Sequence, residues 1–178
     1  MNHEIREYKN PINKNIEFDL EKIEELGKLR EDENFEFRAY LKGEDLDKID
    51  KIVHRLNIEI SNQVDCTTCG NCCMKLKPCI TDQDIMKLSH RLNLSPQQIK
   101  VDYIEIDEGE QYFRNLPCSF LKEKKCTIYS DRPKNCSSYP HLHKKRFISR
   151  LWGVIENYSI CPIVFNVFEK LKTELNYR

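Results

Sequence analysis

The sequence lacks any long hydrophobic run, since no stretch approaches the roughly 18 consecutive apolar residues that a membrane span needs. Charged residues make up 33% of the chain and are spread over nearly all of it. The segment from Met1 to Pro11 has neither an apolar h-region nor a small-residue cleavage pattern, so nothing in it marks a signal peptide. These absences predict a cytoplasmic protein that does not engage a membrane.

The chain also lacks net charge. Lys plus Arg and Asp plus Glu both number 29, which leaves no global electrostatic footprint for nucleic acid. Internal repeats and low-complexity tracts are absent as well. The 178 residues fit one domain of ordinary size with an N-terminal extension. We therefore predict an extension over residues 1–43 and one domain over residues 44–178, with no nucleic-acid partner.

Cysteine, in contrast, is abundant, with nine residues in the chain. Four of them are crowded into one short stretch, at Cys66, Cys69, Cys72 and Cys73. Four more follow at wider spacing, at Cys118, Cys126, Cys136 and Cys161. In a reducing cytoplasm, clustered thiols are more often metal ligands or redox groups than disulfides. These eight thiols suffice for two sites of four sulfurs each.

The spacing within the crowded stretch is informative. Cys66, Cys69 and Cys72 are separated by the two-residue gaps of zinc knuckles and ferredoxin-like loops, in which successive thiolates point at a common centre. Cys73 is a poor fourth ligand for that centre, because neighbouring side chains diverge by about 100° in a helix or to opposite faces of a strand. We expect Cys73 to face a different centre, or another metal of one polynuclear cluster.

The thiols suit two kinds of metal cofactor. Zinc with four thiolates needs only tetrahedral sulfur and would hold this loop-rich region in one shape. The C-x2-C-x2-C run with distant cysteines favours an iron–sulfur cluster, 4Fe-4S, for at least one centre, and Cys161 precedes Pro162 as in many iron–sulfur loops. Ligand type alone does not separate the two metals, so zinc and iron–sulfur both stay open.

Hydrophobic periodicity and capping residues predict several short helices. The spacing of apolar residues predicts one helix from Leu20 to Leu29 and another over residues 44–62. Thr81 and Ser95 are expected to be the N-caps of two more helices after the cysteine stretch. A last helix is predicted to begin at Pro162.

Strand signals are confined to the second half of the chain. Alternating residues predict one hairpin with its turn at Glu108–Gly109–Glu110 and a second with its turn at residues 122–125. A further strand is predicted between Arg146 and Val154. Together with the helices, these signals predict a small, irregular α+β domain that is stabilised by metal.

Several linked motifs carry a resemblance to a known family. In order they are Cys66-x2-Cys69-Gly70-x-Cys72-Cys73, Pro117-Cys118-Ser119-Phe120-Leu121, Cys126-x2-Tyr129-x2-Arg132-Pro133-x2-Cys136-x2-Tyr139-Pro140 and Cys161-Pro162. From about Cys66 to Pro162 the chain resembles the CxxCxxCC cysteine-cluster family, a zinc- or iron-chelating domain also called YkgJ-like. The resemblance implies that all eight cysteines bind metal and that Tyr129, Arg132 and Pro133 belong to the same pattern. Cys79 falls outside the pattern and is interpreted as a spare thiol.

Two interpretations remain open for the other residues near the cysteines. Arg132 either satisfies carbonyl groups in a turn or offsets the negative charge of the thiolates. Tyr129 packs with its hydroxyl bonded in the first of these interpretations. His141 and His143 either replace a sulfur ligand, contact a ligand without binding the metal themselves, or are ordinary surface histidines.

Two classes of function follow from these observations. The first is a metal-binding module, structural or redox, whose surface engages a protein partner or carries an electron. The second is an enzyme, because a flagellin lysine N-methylase carries a similar cysteine cluster and the resemblance permits S-adenosylmethionine-dependent methyl transfer. Against the enzyme, the sequence has no glycine-rich strand–turn–helix fingerprint and no C-x3-C-x2-C spacing. We predict the metal-binding protein and leave enzymatic activity open.

Overall fold

A computed structural model of the chain describes residues 16–177. The segment searched for a signal peptide, Met1 to Pro11, lies outside the described residues. The described chain folds into ten α-helices and two small antiparallel hairpins. The predicted α+β class is therefore confirmed. No helix in this part of the chain combines the length and apolar character that crossing a membrane requires.

The helices and strands follow one another in a simple order. The first five helices are α1 (Leu20–Leu29), α2 (Glu31–Leu41), α3 (Leu46–Ser61), α4 (Cys66–Cys69) and α5 (Asn71–Lys75). The next five are α6 (Asp82–Leu92), α7 (Pro96–Tyr103), α8 (Lys134–Ser138), α9 (Leu151–Tyr158) and α10 (Pro162–Glu174). Between α7 and α8, β1 (Ile104–Asp107) pairs with β2 (Glu110–Phe113) and β3 (Leu121–Lys122) pairs with β4 (Lys125–Cys126).

The larger hydrophobic core joins the two ends of the described chain. Helices α3 and α10 make its most extensive contact, and α1, α2 and α9 pack around them. The predicted apolar stripe of α3 is buried at Ile49, Val53, Leu56 and Ile60. Ile23 of α1 and Phe37 of α2 are fully buried in the same core. Part of the predicted extension thus packs against the predicted domain, and the boundary at residue 43 stays a prediction.

Gly27 allows α1 to lie close to the end of α9. A Cβ added at this position would overlap Ser159 Cβ and lie 3.0 Å from Ser159 Cα. Glycine weakens a helix intrinsically, but Asp19 caps α1 by accepting the backbone N–H groups of Glu21 and Lys22. The predicted helix is confirmed, and close packing explains the glycine within it.

The smaller hydrophobic core lies beneath α6, α7 and the hairpins, and Cys118 and Cys126 pack against its edge. Both predicted caps on this side of the molecule are confirmed. Thr81 forms a reciprocal capping box with Asp84 at the start of α6, and Ser95 Oγ accepts the N–H of Gln98 at the start of α7. These caps fix the helices that support the second group of cysteines.

The predicted strand between Arg146 and Val154 is wrong. Residues Phe147–Arg150 form a 3-10 turn that leads directly into α9. The Asp50 carboxylate on α3 accepts the backbone N–H groups of Arg146 and Phe147 at 2.7 and 2.8 Å. This cap comes from a distant helix, so the local sequence does not reveal it.

Candidate metal centre

The cysteine run, residues Cys66–Cys73, forms two short helices that meet at Gly70. Helix α4 carries the first two cysteines of the run and α5 carries the last two. Asp65 begins α4 by accepting the N–H of Thr67 at 2.8 Å. Gly70 has φ +63°, a left-handed conformation that glycine adopts without steric cost. The chain therefore turns sharply between the two pairs of thiols.

Gly70 also lies directly against the hairpin that carries Cys126. A Cβ on Gly70 would be 2.8 Å from the carbonyl oxygen of Lys124, which is closer than real side chains come. Nearby, the backbone N–H of Cys118 donates to the carbonyl oxygen of Cys73 at 2.9 Å. Two backbone contacts thus hold the cysteine run next to Cys118 and Cys126.

Cys161 is brought to the cysteine run by an amide side chain. Asn71 Nδ2 donates to the carbonyl oxygen of Ile160 at 2.7 Å, and Ile160 immediately precedes Cys161. The N–H of Cys161 donates to the carbonyl oxygen of Asn157 at 2.9 Å, while Tyr139 Oη donates to Asn157 Oδ1 at 2.8 Å. A continuous set of hydrogen bonds therefore positions Cys161 at the start of α10.

Cys136 is positioned by a buried carboxylate. Asp84 Oδ1 accepts the N–H of Lys134 at 2.9 Å, and Oδ2 accepts the N–H of Thr81 at 3.0 Å. The carboxylate therefore joins the first turn of α6 to the first turn of α8, which carries Cys136. Sequence reasoning missed the contacts of Asp84 with Lys134 and of Asn71 with Ile160, because each joins residues far apart in the chain.

The eight predicted cysteines line two adjoining cavities. The smaller cavity, of about 30 Å³, is bordered by four of them, called here the first quartet: Cys66, Cys69, Cys72 and Cys161. The larger cavity, of about 310 Å³, is bordered by the second quartet, Cys73, Cys118, Cys126 and Cys136, and also by Cys66 and Cys72. Cys79 borders neither of these cavities. Its backbone forms an isolated antiparallel β-bridge with Tyr112, and its Sγ lies 3.6 Å from Glu110 Oε2. Cys79 thus lies apart from the other eight, and its interpretation as a spare or accessory thiol stays a prediction.

The thiols surround the cavities without converging on one point. Cys72 Sγ and Cys73 Sγ are 4.0 Å apart, where the two cavities meet. Within residues 16–177, no three Cys, His, Asp or Glu side chains stand close enough together to hold one metal ion. All nine cysteines are free thiols. Ligation of a shared ion therefore requires the side chains to turn inward from the positions they occupy here.

Burial makes several of these thiols difficult to ionise on their own. It raises the pKa of Cys136 to about 12, and negative charge on Cys73, Cys118 and Cys126 adds to the rise. Burial also raises the pKa of Cys161 to about 12. At the meeting of the cavities, a hydrogen bond from Cys72 lowers the pKa of Cys73 to about 7, and the same bond raises the pKa of Cys72. A bound cation is what would allow so many neighbouring thiolates to coexist.

Backbone N–H groups favour the ionised form of three of the thiols. The N–H groups of Phe120 and Leu121 oppose the rise that burial causes in the pKa of Cys118, and the N–H of Ile128 does the same for Cys126. The N–H groups of Ile163 and Val164, in the first turn of α10, act on the pKa of Cys161 in the same way. N–H groups near sulfur stabilise thiolate ligands in metal-binding loops. The donor set and its surroundings therefore fit a thiolate-bound metal.

Arg132 fulfils both of the roles considered from the sequence. Its guanidinium stacks on Tyr129, 3.8 Å from the ring centroid, and Nη1 donates to the Tyr129 carbonyl oxygen at 2.8 Å. Arg132 also borders the larger cavity. Burial raises the pKa of Cys126 and of Cys136, and the positive charge of Arg132 opposes that rise.

The two histidines differ in their surroundings. His141 borders the larger cavity, and its Nδ1 lies 2.9 Å from Ser138 Oγ. Burial lowers the pKa of His141 to about 4, so the ring is neutral near pH 7. His143 is exposed and does not border either of the cavities described above.

The soft sulfur donors that line the two cavities of this α+β domain suit the ligation of zinc or iron. A sequence model of the CxxCxxCC family, described as a "putative zinc- or iron-chelating domain", matches residues 65–160, more than half of the chain. The chain belongs to this family. The match includes seven of the eight cysteines and ends immediately before Cys161. No curated protein and no solved structure matches the chain.

Proposed function

We propose that the protein is a cytoplasmic metal-binding protein that coordinates an iron–sulfur cluster, 4Fe-4S, or zinc through the eight cysteines that border the cavities. The observation that carries the proposal is the position of these cysteines around two adjoining cavities, although they come from separate parts of the sequence. The ninth cysteine, Cys79, lies elsewhere. Metal ligation explains this selective gathering better than ordinary packing does.

The residues around the cavities suit a structural or redox centre. Bound zinc would supply a fixed tetrahedral centre, and a bound iron–sulfur cluster would supply a centre for electron transfer. The thiols must release their protons to bind either metal, so metal uptake by this chain is coupled to proton release. Arg132 and the backbone N–H groups near Cys118, Cys126 and Cys161 favour the resulting negative charge.

Anaerobic purification, followed by elemental analysis and a visible absorption spectrum, tests the identity of the metal. We expect iron and sulfide in a brown protein, because the C-x2-C-x2-C run favours a cluster for at least one centre. A colourless protein that contains zinc would instead indicate structural zinc sites. A folded protein with neither metal would contradict the whole proposal.

A pair of cysteine variants tests the assignment of the ligands. We expect Cys69→Ser to lose metal and stability, because Cys69 borders the smaller cavity. Cys79→Ser is the matched control, and we expect it to keep the metal content and thermal stability of the wild-type protein. Equal metal content in the two variants would remove the basis for choosing these eight cysteines.

The alternative function, an S-adenosylmethionine-dependent protein lysine N-methylase-like enzyme, stays a prediction, as does the engagement of a protein partner. Calorimetry with S-adenosylmethionine and the metal-loaded protein tests the alternative directly. Saturable binding would favour the enzyme, and the absence of binding would count heavily against it.

A further inference from the structure

We infer that the eight cysteines form two separate metal centres, one held by the first quartet and the other by the second. Cys72 and Cys73, although adjacent in sequence, then serve different centres. The inference rests on the proposed function, because it takes metal ligation by these cysteines as given. It adds which sulfurs share a metal, a division that the spacing in the sequence leaves open.

The borders of the cavities provide the first argument. Cys69 and Cys161 border only the smaller cavity, whereas all four members of the second quartet border only the larger one. Cys66 and Cys72 border both, so their assignment decides the division. The larger cavity already has four thiols of its own and the smaller has two. A centre of four sulfurs at the smaller cavity therefore requires both shared residues.

Local geometry assigns the two shared residues in the same way. Cys66 lies three residues before Cys69 in the single turn of α4, a spacing that places two side chains on one face of a helix. Cys72 and Cys73 are consecutive in α5, so their Cα–Cβ bonds diverge by about 100° around the helix axis, while their Sγ atoms lie 4.0 Å apart. Cys73 has its backbone carbonyl bonded to the N–H of Cys118. We therefore assign Cys72 to the smaller cavity and Cys73 to the larger one.

Each quartet also has its own structural support. The Asn71 bond to the Ile160 carbonyl group ties the cysteine run to the Cys161 end of the chain. The Asp84 carboxylate accepts the N–H of Lys134 and thereby positions α8, which carries Cys136 of the second quartet. These supports share no residue, as expected of two centres that are built separately.

Metal content in single and double variants tests the division. Cys69→Ala and Cys161→Ala represent the first quartet, and Cys118→Ala and Cys136→Ala represent the second. We expect each single variant to lose the metal of one centre only, and a double variant within one quartet to lose no more. A double variant that combines Cys69→Ala with Cys136→Ala should lose the metal of both centres. Complete loss in any folded single variant would overturn the inference in favour of one shared cluster.

A second experiment keeps all eight proposed ligands, so it does not depend on the folding of ligand variants. It uses the Cys79→Ser protein so that only the eight cysteines react. The metal-loaded protein is treated with EDTA in the presence of N-ethylmaleimide, and intact molecules are analysed by mass spectrometry and peptide mapping. We expect an intermediate with four labels, all of them on one quartet. A four-label species with sites from both quartets, or a direct change from none to eight labels, would overturn the division.

The two proposals fail in different ways. If the proposed function is wrong, the purified protein contains no metal and all eight thiols react without EDTA. If only the division is wrong, the protein contains metal and the thiols are protected, but the labels and the losses of metal do not follow the quartets.

Discussion

Replacement of Gly70 by alanine is expected to damage both the fold and the metal site. Alanine in the left-handed conformation, φ +63° at this position, costs about 1 kcal/mol. The added Cβ would also lie 2.8 Å from the Lys124 carbonyl oxygen, and such overpacking costs about 2 kcal/mol. The sum of about 3 kcal/mol corresponds to a fall in melting temperature of about 6 to 12 °C for a chain of this size.

Gly109→Ala provides a matched control for the backbone term. Gly109 also has a positive φ, +85°, but a Cβ there would have no neighbour within 4 Å. This variant should therefore lose only about 1 kcal/mol of stability and keep its full metal content. Thermal unfolding followed by circular dichroism, with elemental analysis of each purified protein, measures both effects.

The difference between the two variants isolates the contact with Lys124. If Gly70→Ala is no less stable than Gly109→Ala and binds as much metal, the close approach of the cysteine run to the β3–β4 hairpin does not position the site. A large loss of stability in Gly109→Ala would also refute the reasoning, because a Cβ at Gly109 would have no neighbour within 4 Å.

Two further predictions concern the supports of the fold. Gly27→Ala should destabilise the protein because its Cβ would overlap Ser159. Gly153 lies in a helix with open space around it, so Gly153→Ala should raise the free energy of unfolding by about 0.5 to 1 kcal/mol. Urea unfolding of the two variants measures both effects. Burial opposes ionisation of Asp84, but hydrogen bonds from Thr81 and the Lys134 N–H lower its pKa below the ordinary value. The ionised carboxylate therefore stabilises the fold above about pH 4 and less as the pH falls through the lowered pKa. Asp84→Asn should cost about 1 to 3 kcal/mol at pH 7 and less at pH 3, and an equal cost at both values would contradict this explanation.

The helices were predictable where their signals are local. The caps at Thr81 and Ser95 and the apolar stripe of α3 all depend on residues within a few positions of one another, and all three were found. The turn that precedes α9 was missed because its cap is Asp50, nearly a hundred residues earlier in the chain.

The site shows the same division between local and distant information. The family motif was visible in the sequence, whereas the expectation that Cys73 serves a different centre, or another metal of one cluster, stays a prediction. The cavity that each distant cysteine borders was not visible, because it depends on tertiary contacts such as that of Asn71 with Ile160. Motif spacing identifies the sulfur atoms, and the fold groups them.

Helix α10 connects the smaller cavity mechanically to the interior of the protein. Its N-cap residue, Cys161, borders that cavity, and most of its length is buried against α3 and α9. Helix α1 also contacts α10. Under the proposed function, a shift of Cys161 on metal binding would therefore act on a buried helix that packs against α1, α3 and α9, which contain no cysteine.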